Sequence, residues 1–341
     1  MKVLTFVIPA YNSEKFLDKG IPTMLHPEIM DKLEIIIVND GSTDGTPQAA
    51  EKYCTQYPET IYLISQANKG HGGALNTGIA AAQGKYVKVI DADDWVVTEN
   101  LPAFIDALEQ CESDVVLTHH HTIDISSGEI KNWKSFPAEF GRAYTFDEIM
   151  SNWRSFDRSL TFHGITYRTE FYHQFGHQLL EHIFYEDHEY ATYPCCYAQS
   201  IMPLDMFIYE YRIGDVNQSV SNANQLKRLS HTDSVLQRMA EEYQLIPESQ
   251  GKQYAAMKIQ GLLLSYLTTA MLVNPDKKGG RKMGHTQMSL RLSDTPEAYV
   301  LAKHKYQVFT LLNYLHISKA TWDSILNSKL YNAIRGNRSF D

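Results

Sequence analysis

The chain has 341 residues, 43% of them hydrophobic and 21% charged, an ordinary globular composition that can build one large core or two smaller ones. Its formal charge of −9 is unevenly spread: residues 1–225 hold 15 Lys and Arg against 31 Asp and Glu, and residues 226–341 hold 16 against 9. The acidic front excludes nucleic acid as its direct partner, because a phosphate backbone demands the opposite charge, whereas the basic remainder suits an anionic surface.

The start, MKVLTFVIPAYN, lacks the length and cleavage site of a signal peptide. Four apolar, β-branched runs of strand length follow one another: VLTFVI (3–8), LEIIIV (33–38), IYLIS (61–65) and YVKVI (86–90). Helix-length segments at about 14–25, 46–57 and 72–82 separate them. This alternation predicts an α/β fold with a Rossmann-like, mostly parallel sheet covered by helices on both faces. In such sheets ligands bind at the carboxyl ends of the strands. The polar loops fall there: PAYN (9–12), NDGSTDG (39–45), QANKGHGG (66–73) and DADD (91–94).

Beyond residue 100 the pattern changes. Residues 114–120 read as a strand, a mixed region follows, and two strand-like runs, SIMPL and MFIYEYR, lie around 200–212. Helices are expected at 224–245, 252–273 and 296–315, broken by a loop NPDKKGGRKMGH at 274–285. The apolar stretch GLLLSYLTTAMLV (261–273) is too short to span a bilayer. Cys54, Cys111, Cys195 and Cys196 show no paired CxxC spacing and read as reduced thiols. These features together predict a soluble or peripheral cytoplasmic protein.

Three acidic motifs carry the chemistry. In DADD, Asp91, Asp93 and Asp94 crowd one strand end, where like charges raise one another's pKa. A hard divalent cation such as Mn²⁺ or Mg²⁺ would relieve that repulsion and could clamp a diphosphate; the plain alternative is an acidic turn capping the next helix. Asp40 ends a buried strand and is followed by a capping set, Ser42, Thr43 and Asp44; taken alone it is a cap, although its carboxylate could also accept a nucleobase N–H. Glu186 and Asp187 open an amphipathic segment, where a carboxylate is usually a helix-dipole partner but near a pocket serves as a general base.

In this order and on this scaffold, the segments VIPAYNSEKFL, IIIVNDGSTDGT, NKGHGGALNTGIAAAQGKYVKVIDADDW and YEDHEYA resemble family 2 glycosyltransferases of the GT-A fold. The likeness is nearly continuous over residues 3–97 and scattered to about 220. It implies a catalytic domain over 1–222, with a nucleotide-binding half at about 1–97 and an acceptor half at about 98–222; the mainly helical region expected over 223–341 rests on its sequence pattern alone, where no resemblance extends. It implies a nucleoside-diphosphate sugar donor, UDP-linked by expectation, and a metal-assisted inverting transfer to a saccharide or lipid-linked acceptor in cell-surface polysaccharide or glycolipid assembly. Pro9, Ala10, Tyr11 and Asn12 match the nucleotide-contacting loop, Asp40 the carboxylate that meets the base, and Asn68, Lys69 and Gly70 the loop near base and ribose. Asp91, Ala92 and Asp93 match the DxD segment, with Asp93 as the direct metal ligand and Asp91 beside it; Asp94 faces the donor sugar. Asp187 matches the catalytic base and Glu186 its support. Arg212 or the Asn217–Ser219 stretch could reach the diphosphate or close over the donor, the plain alternative being an exposed loop after an edge strand; no histidine stands there, and metal coordination beyond the aspartates stays open.

Other features take plainer readings. His119, His120 and His121 alternate across a strand and cannot converge on a metal. His173 and His177 lack the glutamate of a zincin helix, and Lys69–Gly73 lacks the GK[ST] ending of a P-loop. Trp133, Trp153 and Tyr167 read as core; Trp95 adjoins the acidic cluster and is the aromatic to watch. Lys277, Lys278, Arg281 and Lys282, placed in one loop, would bring the basic region to an anionic membrane face; the alternative is a solvated face that mediates homo-oligomer contacts. Competing functions are a catalytically inactive GT-A scaffold, against which the intact acidic motifs argue, and a nucleotidyltransferase, for which PAYNSEKF lacks the glycine-rich basic loop.

Overall fold

The computed structural model describes residues 1–214 and 222–326; the Asn217–Ser219 stretch lies outside the described residues. The chain packs as two units, Met1–Gln218 with Glu248–Tyr254, and Ser219–Pro247 with Ala255–Asp341.

In the first unit β1 (Leu4–Ala10), β2 (Leu33–Asp40), β3 (Ile61–Gln66) and β4 (Tyr86–Val89) alternate with α1 (Glu14–Thr23), α2 (Thr46–Gln56) and α3 (Gly70–Ala81). Every residue of β1, β2 and β4 is buried, as expected for central strands covered on both faces. Then come β5 (Trp95–Val96), α4 (Leu101–Gln110), β6 (Val115–Asp124), β7 (Ile130–Trp133), α5 (Phe146–Ser151), β8 (Ile165–Arg168), α6 (Thr169–Phe175), α7 (Asp187–Tyr190), α8 (Tyr193–Tyr197) and β9 (Ile201–Ile213). The strand order is β3-β2-β1-β4-β8-β6-β9-β5, with β7 on β6. The order turns at β1, the first strand, which lies between β2 and β4; the loops after these neighbours open on the same edge.

The expectation of a mostly parallel sheet needs correction: the sheet is mixed. Strands β1–β4 pair in parallel and so do β6 and β9, but β8 runs antiparallel to both β4 and β6, β7 to β6, and β5 to β9. The two expected runs near 200–212 are one strand, β9. Pro203 and Asp205 interrupt its apolar pattern, and the register against β6 shifts there, between Leu117 and His120, so an irregular ladder accommodates the proline.

The second unit is helical: α9 (Asn222–Lys227), α10 (Leu229–Leu245), α11 (Gln250–Thr268, from Ala255 onward in this unit), a π-turn Thr269–Val273, α12 (Lys277–Asp294), α13 (Pro296–Tyr314) and α14 (Lys319–Leu326). Helix α12 overturns the expected loop at 274–285. Asp276 caps it by accepting from the Gly279 N–H at 2.9 Å. Its glycines are contact residues rather than breakers: a Cβ on Gly280 would collide with the Ala270 carbonyl, and one on Gly284 would press on the Met271 sulfur. The four basic residues thus sit on a helix. Arg281 donates to Asn313 at 2.6 Å and Lys277 to the Leu272 carbonyl at 3.0 Å, whereas Lys278 and Lys282 face solvent. Together α11 and the π-turn form one 24-residue helical stretch, Gln250–Val273, long and apolar enough by length and composition to cross a membrane, with 56% of its most apolar window buried inside the protein.

Candidate functional site

The carboxyl edge of β1–β4 is built by loops that tie one another down. After β1, Asn12 takes a left-handed φ of 51° and its side-chain oxygen accepts the Thr43 N–H at 2.8 Å. Pro9 and Ala10 are buried at the strand end, and Tyr11 is 52% exposed beside them. After β2, Asp40 is almost wholly buried. Its two carboxylate oxygens accept the N–H groups of Lys69 and Gly70, each at 2.8 Å, and the Gln66 amide at 2.8 Å. Asn68 completes the knot by donating to the Asp40 carbonyl at 2.9 Å. Asp40 therefore shapes the 68–70 loop directly: a carboxylate at the start of α3 satisfies amides that the helix leaves unpaired.

The first turn of α3 then receives a segment more than a hundred residues away. His182 N–H donates to the Lys69 carbonyl at 2.7 Å, the Asn76 side chain exchanges two bonds of 2.9 Å with the Leu179 backbone, and Lys69 pairs with Glu181 at 3.3 Å. Two glycines permit this approach. Gly70 has φ +79°, and a Cβ there would lie 2.7 Å from the His182 nitrogen; a Cβ on Gly72 would run into the Leu180 carbonyl and stand 3.0 Å from the Glu186 Cγ. The docked segment carries two non-glycine residues at positive φ, His182 (58°) and Tyr185 (76°), the second directly ahead of Glu186 and Asp187. Backbone held in this way concentrates at functional sites.

The acidic strand end meets this segment through His71. Its Nε2 lies 2.9 Å from Asp91 Oδ1 and its Nδ1 lies 2.5 Å from Glu186 Oε1. Burial disfavours its charge, but Asp91 and Glu186 outweigh that and hold His71 well above the usual histidine range. Asp91 is correspondingly lowered: burial works against it and His71 prevails. Glu186, its side chain only 3% exposed, is raised by burial in spite of His71. On the other flank, Arg212 of β9 pairs with Asp93 at 2.7 Å, and its backbone N–H donates to Asp94 at 2.8 Å. Tyr209 donates to Asp94 at 2.6 Å. Asp93 is raised by burial and by Asp91, with Arg212 pulling the other way. Asp94, 1% exposed, is pushed well above the carboxylate range by burial and then by its two acidic neighbours.

The structure thus gathers Asp40 with Asn68, Lys69 and Gly70, and gathers Asp91 with Glu186 through His71, with Ala92 buried between the acids and Asp187 half-buried at the start of α7. Asp94 is enclosed by Tyr209 and Arg212. Sequence reasoning passed over His71, which stood inside a glycine run read only as a failed P-loop; its signal was a histidine in the first turn after a strand-end loop. Arg212 pairs with Asp93. Trp95 is buried, with the Lys19 ammonium 3.4 Å from its ring centre, and offers no open platform. His119 and His121 both pack against the Phe207 ring, whereas His120 lies against Trp133 and His163, so the histidine run divides between two faces as alternation requires.

The sequence profile of glycosyl transferase family 2 matches residues 5–184, and the chain belongs to that family. It is 38% identical over 128 residues to an uncharacterised glycosyltransferase of Nostoc sp. PCC 7120, covering 38% of each chain, and 37% identical over 114 residues to the uncharacterised glycosyltransferase EpsJ of Bacillus subtilis, covering 33% of each. The matched segment therefore spans about a third of these relatives' length. Among solved structures, TarS residues 1–349 of S. aureus in complex with UDP-GlcNAc superposes with a TM-score of 0.65 at 19% identity, covering 92% of this chain and 89% of that one. The mannosyltransferase PcManGT of Pyrobaculum calidifontis, in complex with GDP-Man and Mn²⁺, gives 0.50 at 17% identity, covering 96% and 87%. The fold is α/β with a central mixed sheet flanked by helices and a helical C-terminal extension, in keeping with GT-A architecture.

Among the described residues no three His, Cys, Asp or Glu side chains form a metal cage. The donor set nevertheless fits a hard cation of the Mg²⁺ kind, which takes one or two carboxylates and completes its shell with substrate phosphates and water. The Asp93 carboxylate, 33% exposed, and the Asp91 carboxylate, 28% exposed, are the oxygens available for it.

Proposed function

We propose that the chain is a metal-dependent inverting glycosyltransferase that moves a sugar from a nucleoside-diphosphate sugar, UDP-linked, to an acceptor hydroxyl. The observation that carries this reading is the meeting of Asp91 with Glu186 through His71, which brings the DADD and ED segments into one site at the edge where ligands of such sheets bind. The UDP-GlcNAc complex of TarS and the GDP-Man and Mn²⁺ complex of PcManGT support the donor class and the cation.

In this reading Pro9, Ala10, Tyr11 and Asn12 line the nucleotide, and Asp40 serves the base end through the Asn68–Gly70 loop that it organises. Asp93, with Asp91 beside it, would hold Mn²⁺ or Mg²⁺, which screens the diphosphate and stabilises it as a leaving group. Arg212 sits on Asp93 and is in reach of the same charge. Asp187 takes the proton of the acceptor hydroxyl while that oxygen bonds to the anomeric carbon; the carbon–oxygen bond to the diphosphate breaks on the opposite face, and the centre inverts. Glu186 supports Asp187, and Asp94, enclosed by Tyr209 and the Arg212 N–H, braces the acidic strand end from behind. The catalytic domain covers 1–222, with 223–341 as its helical companion.

The setting we propose is surface-polysaccharide or glycolipid assembly on the cytoplasmic side, with a saccharide or lipid-linked acceptor. Exposed Lys278, Lys282, Lys303 and Lys305 give the helical region its contact with anionic lipid. Flotation with and without anionic lipid tests that contact, and equal flotation ends it. The site itself is tested by calorimetric titration of UDP and GDP with and without Mn²⁺ on wild type and Asp93→Ala. Metal-dependent binding of one nucleotide, lost in the variant, is expected; no binding of either nucleotide with Mn²⁺ present overturns the reading.

A further inference from the structure

We infer that His71 is a positioning residue for this transfer: it fixes Glu186 against Asp91 and so sets where Asp187 stands relative to the acidic strand end. The inference rests on the function proposed above and adds to it a residue outside the acidic motifs.

The two ring nitrogens each face a carboxylate oxygen, at 2.9 Å and 2.5 Å, so the imidazole bridges the two acids. Two bonds leaving the ring in different directions fix both its place and its plane, and Phe162 bounds it, with ring centres 6.0 Å apart. Glu186 is almost fully buried, and His71 is the side chain bonded to its carboxyl oxygen. An enclosed carboxylate that loses its partner must move toward water or take up a proton. Movement of the Glu186 side chain toward water would carry Asp187, the next residue along the chain, with it.

A purely architectural role is separable from this one. The docking of 179–182 on α3 is secured independently by Asn76 with Leu179, Lys69 with His182, and Lys69 with Glu181. Removing the imidazole leaves those bonds in place and unfastens Glu186, the residue before Asp187, from Asp91. The expected consequence is a folded protein with its nucleotide loops intact and its chemistry misaligned.

The test uses the full chain with Mn²⁺ and a panel of UDP-hexoses and UDP-N-acetylhexosamines, reading UDP release with thermal unfolding alongside. Wild type, His71→Gln, Glu186→Gln and the double variant form a cycle. His71→Gln is expected to lower kcat by about 10- to 100-fold, the scale of a small misplacement of reacting groups. Its KM for the donor should stay within about threefold, and the double variant should be no slower than the slower single one, as for residues that act as a unit. A wild-type kcat in His71→Gln, or losses that multiply in the double variant, overturns the inference. Should His71→Gln not fold, Glu186→Gln reads the bridge from its other end, and a wild-type kcat there overturns it equally. Wild type releasing UDP from no donor overturns the transferase reading and this role with it, whereas release by wild type with an unaltered His71→Gln overturns this inference alone.

Discussion

Replacing Gly72 by alanine isolates the docking of the Glu186 segment from every charged group in the site. Two effects oppose each other. Alanine gains about 0.5–1 kcal/mol over glycine inside a helix. Against this, the new methyl would collide with the Leu180 carbonyl and crowd the Glu186 Cγ at 3.0 Å. A backbone carbonyl cannot rotate away as a side chain does, so the overpacking cost of about 1–3 kcal/mol applies. The clash wins by about 1–2 kcal/mol, which for a unit of this size lowers Tm by roughly 2–8 °C. Relief can come only by lifting the 180–186 segment, and that carries Glu186 with it. Turnover should therefore fall by about 100-fold, while UDP binding, served by the loops after β1 and β2, stays near wild type. Gly261→Ala is the matched control: nothing lies within 4 Å of a Cβ there, and the same change inside α11 should stabilise the protein. Differential scanning calorimetry, titration of UDP with Mn²⁺ and a UDP-release assay supply the readings. A Gly72→Ala protein with unchanged or higher Tm refutes the close approach on which the site geometry depends.

Asp187→Asn should lower kcat by about 10²- to 10⁴-fold in the UDP-release assay with an acceptor present, the contribution of a general base, and leave titrated UDP affinity unchanged. Tyr209→Phe removes the donor to the enclosed Asp94 carboxylate and should cost about 1–3 kcal/mol in denaturant unfolding. Lys88 is fully buried on β4, bonded to the carbonyls of His163 and Ile165, and burial pushes its pKa down to about 7. Its proton is held more weakly in the folded than in the unfolded state, so the penalty is complete below pH 7 and fades as pH rises toward the ordinary lysine value. The stability of wild type relative to Lys88→Met should climb with pH over that window, by up to about 1.4 kcal/mol per unit, and a flat difference would contradict it.

The strand-end loops of β1–β4 were legible because each is a local string, an apolar run followed at once by polar residues. The elements that sequence misplaced depend on distant partners. Pro203 and Asp205 break the pattern of β9, and only its pairing with β6 shows that the strand continues. Gly279 and Gly280 resemble a break until the Ala270 carbonyl is found against Gly280, where any larger residue would be excluded. The mixed character of the sheet follows from β8 and β6, whose neighbours are set by long-range pairing and not by composition.

The acidic strand end shows the same division at the level of charge. Asp91, Asp93 and Asp94 were visible as a repulsive cluster, and the sequence argument supplied a metal as their partner. The structure adds counter-groups from the protein itself. His71 lies 20 residues ahead of Asp91, Arg212 lies 119 residues beyond Asp93, and Tyr209 lies 115 beyond Asp94. No spacing rule connects such positions. Each acid has a different partner, and the differences assign different work. Asp94 is enclosed and pairs with groups that cannot leave without opening β9. Asp91 is bound to an imidazole that it shares with Glu186. Asp93 keeps the most exposed carboxylate of the three, with the buried Arg212 guanidinium held against both its side chain and its carbonyl.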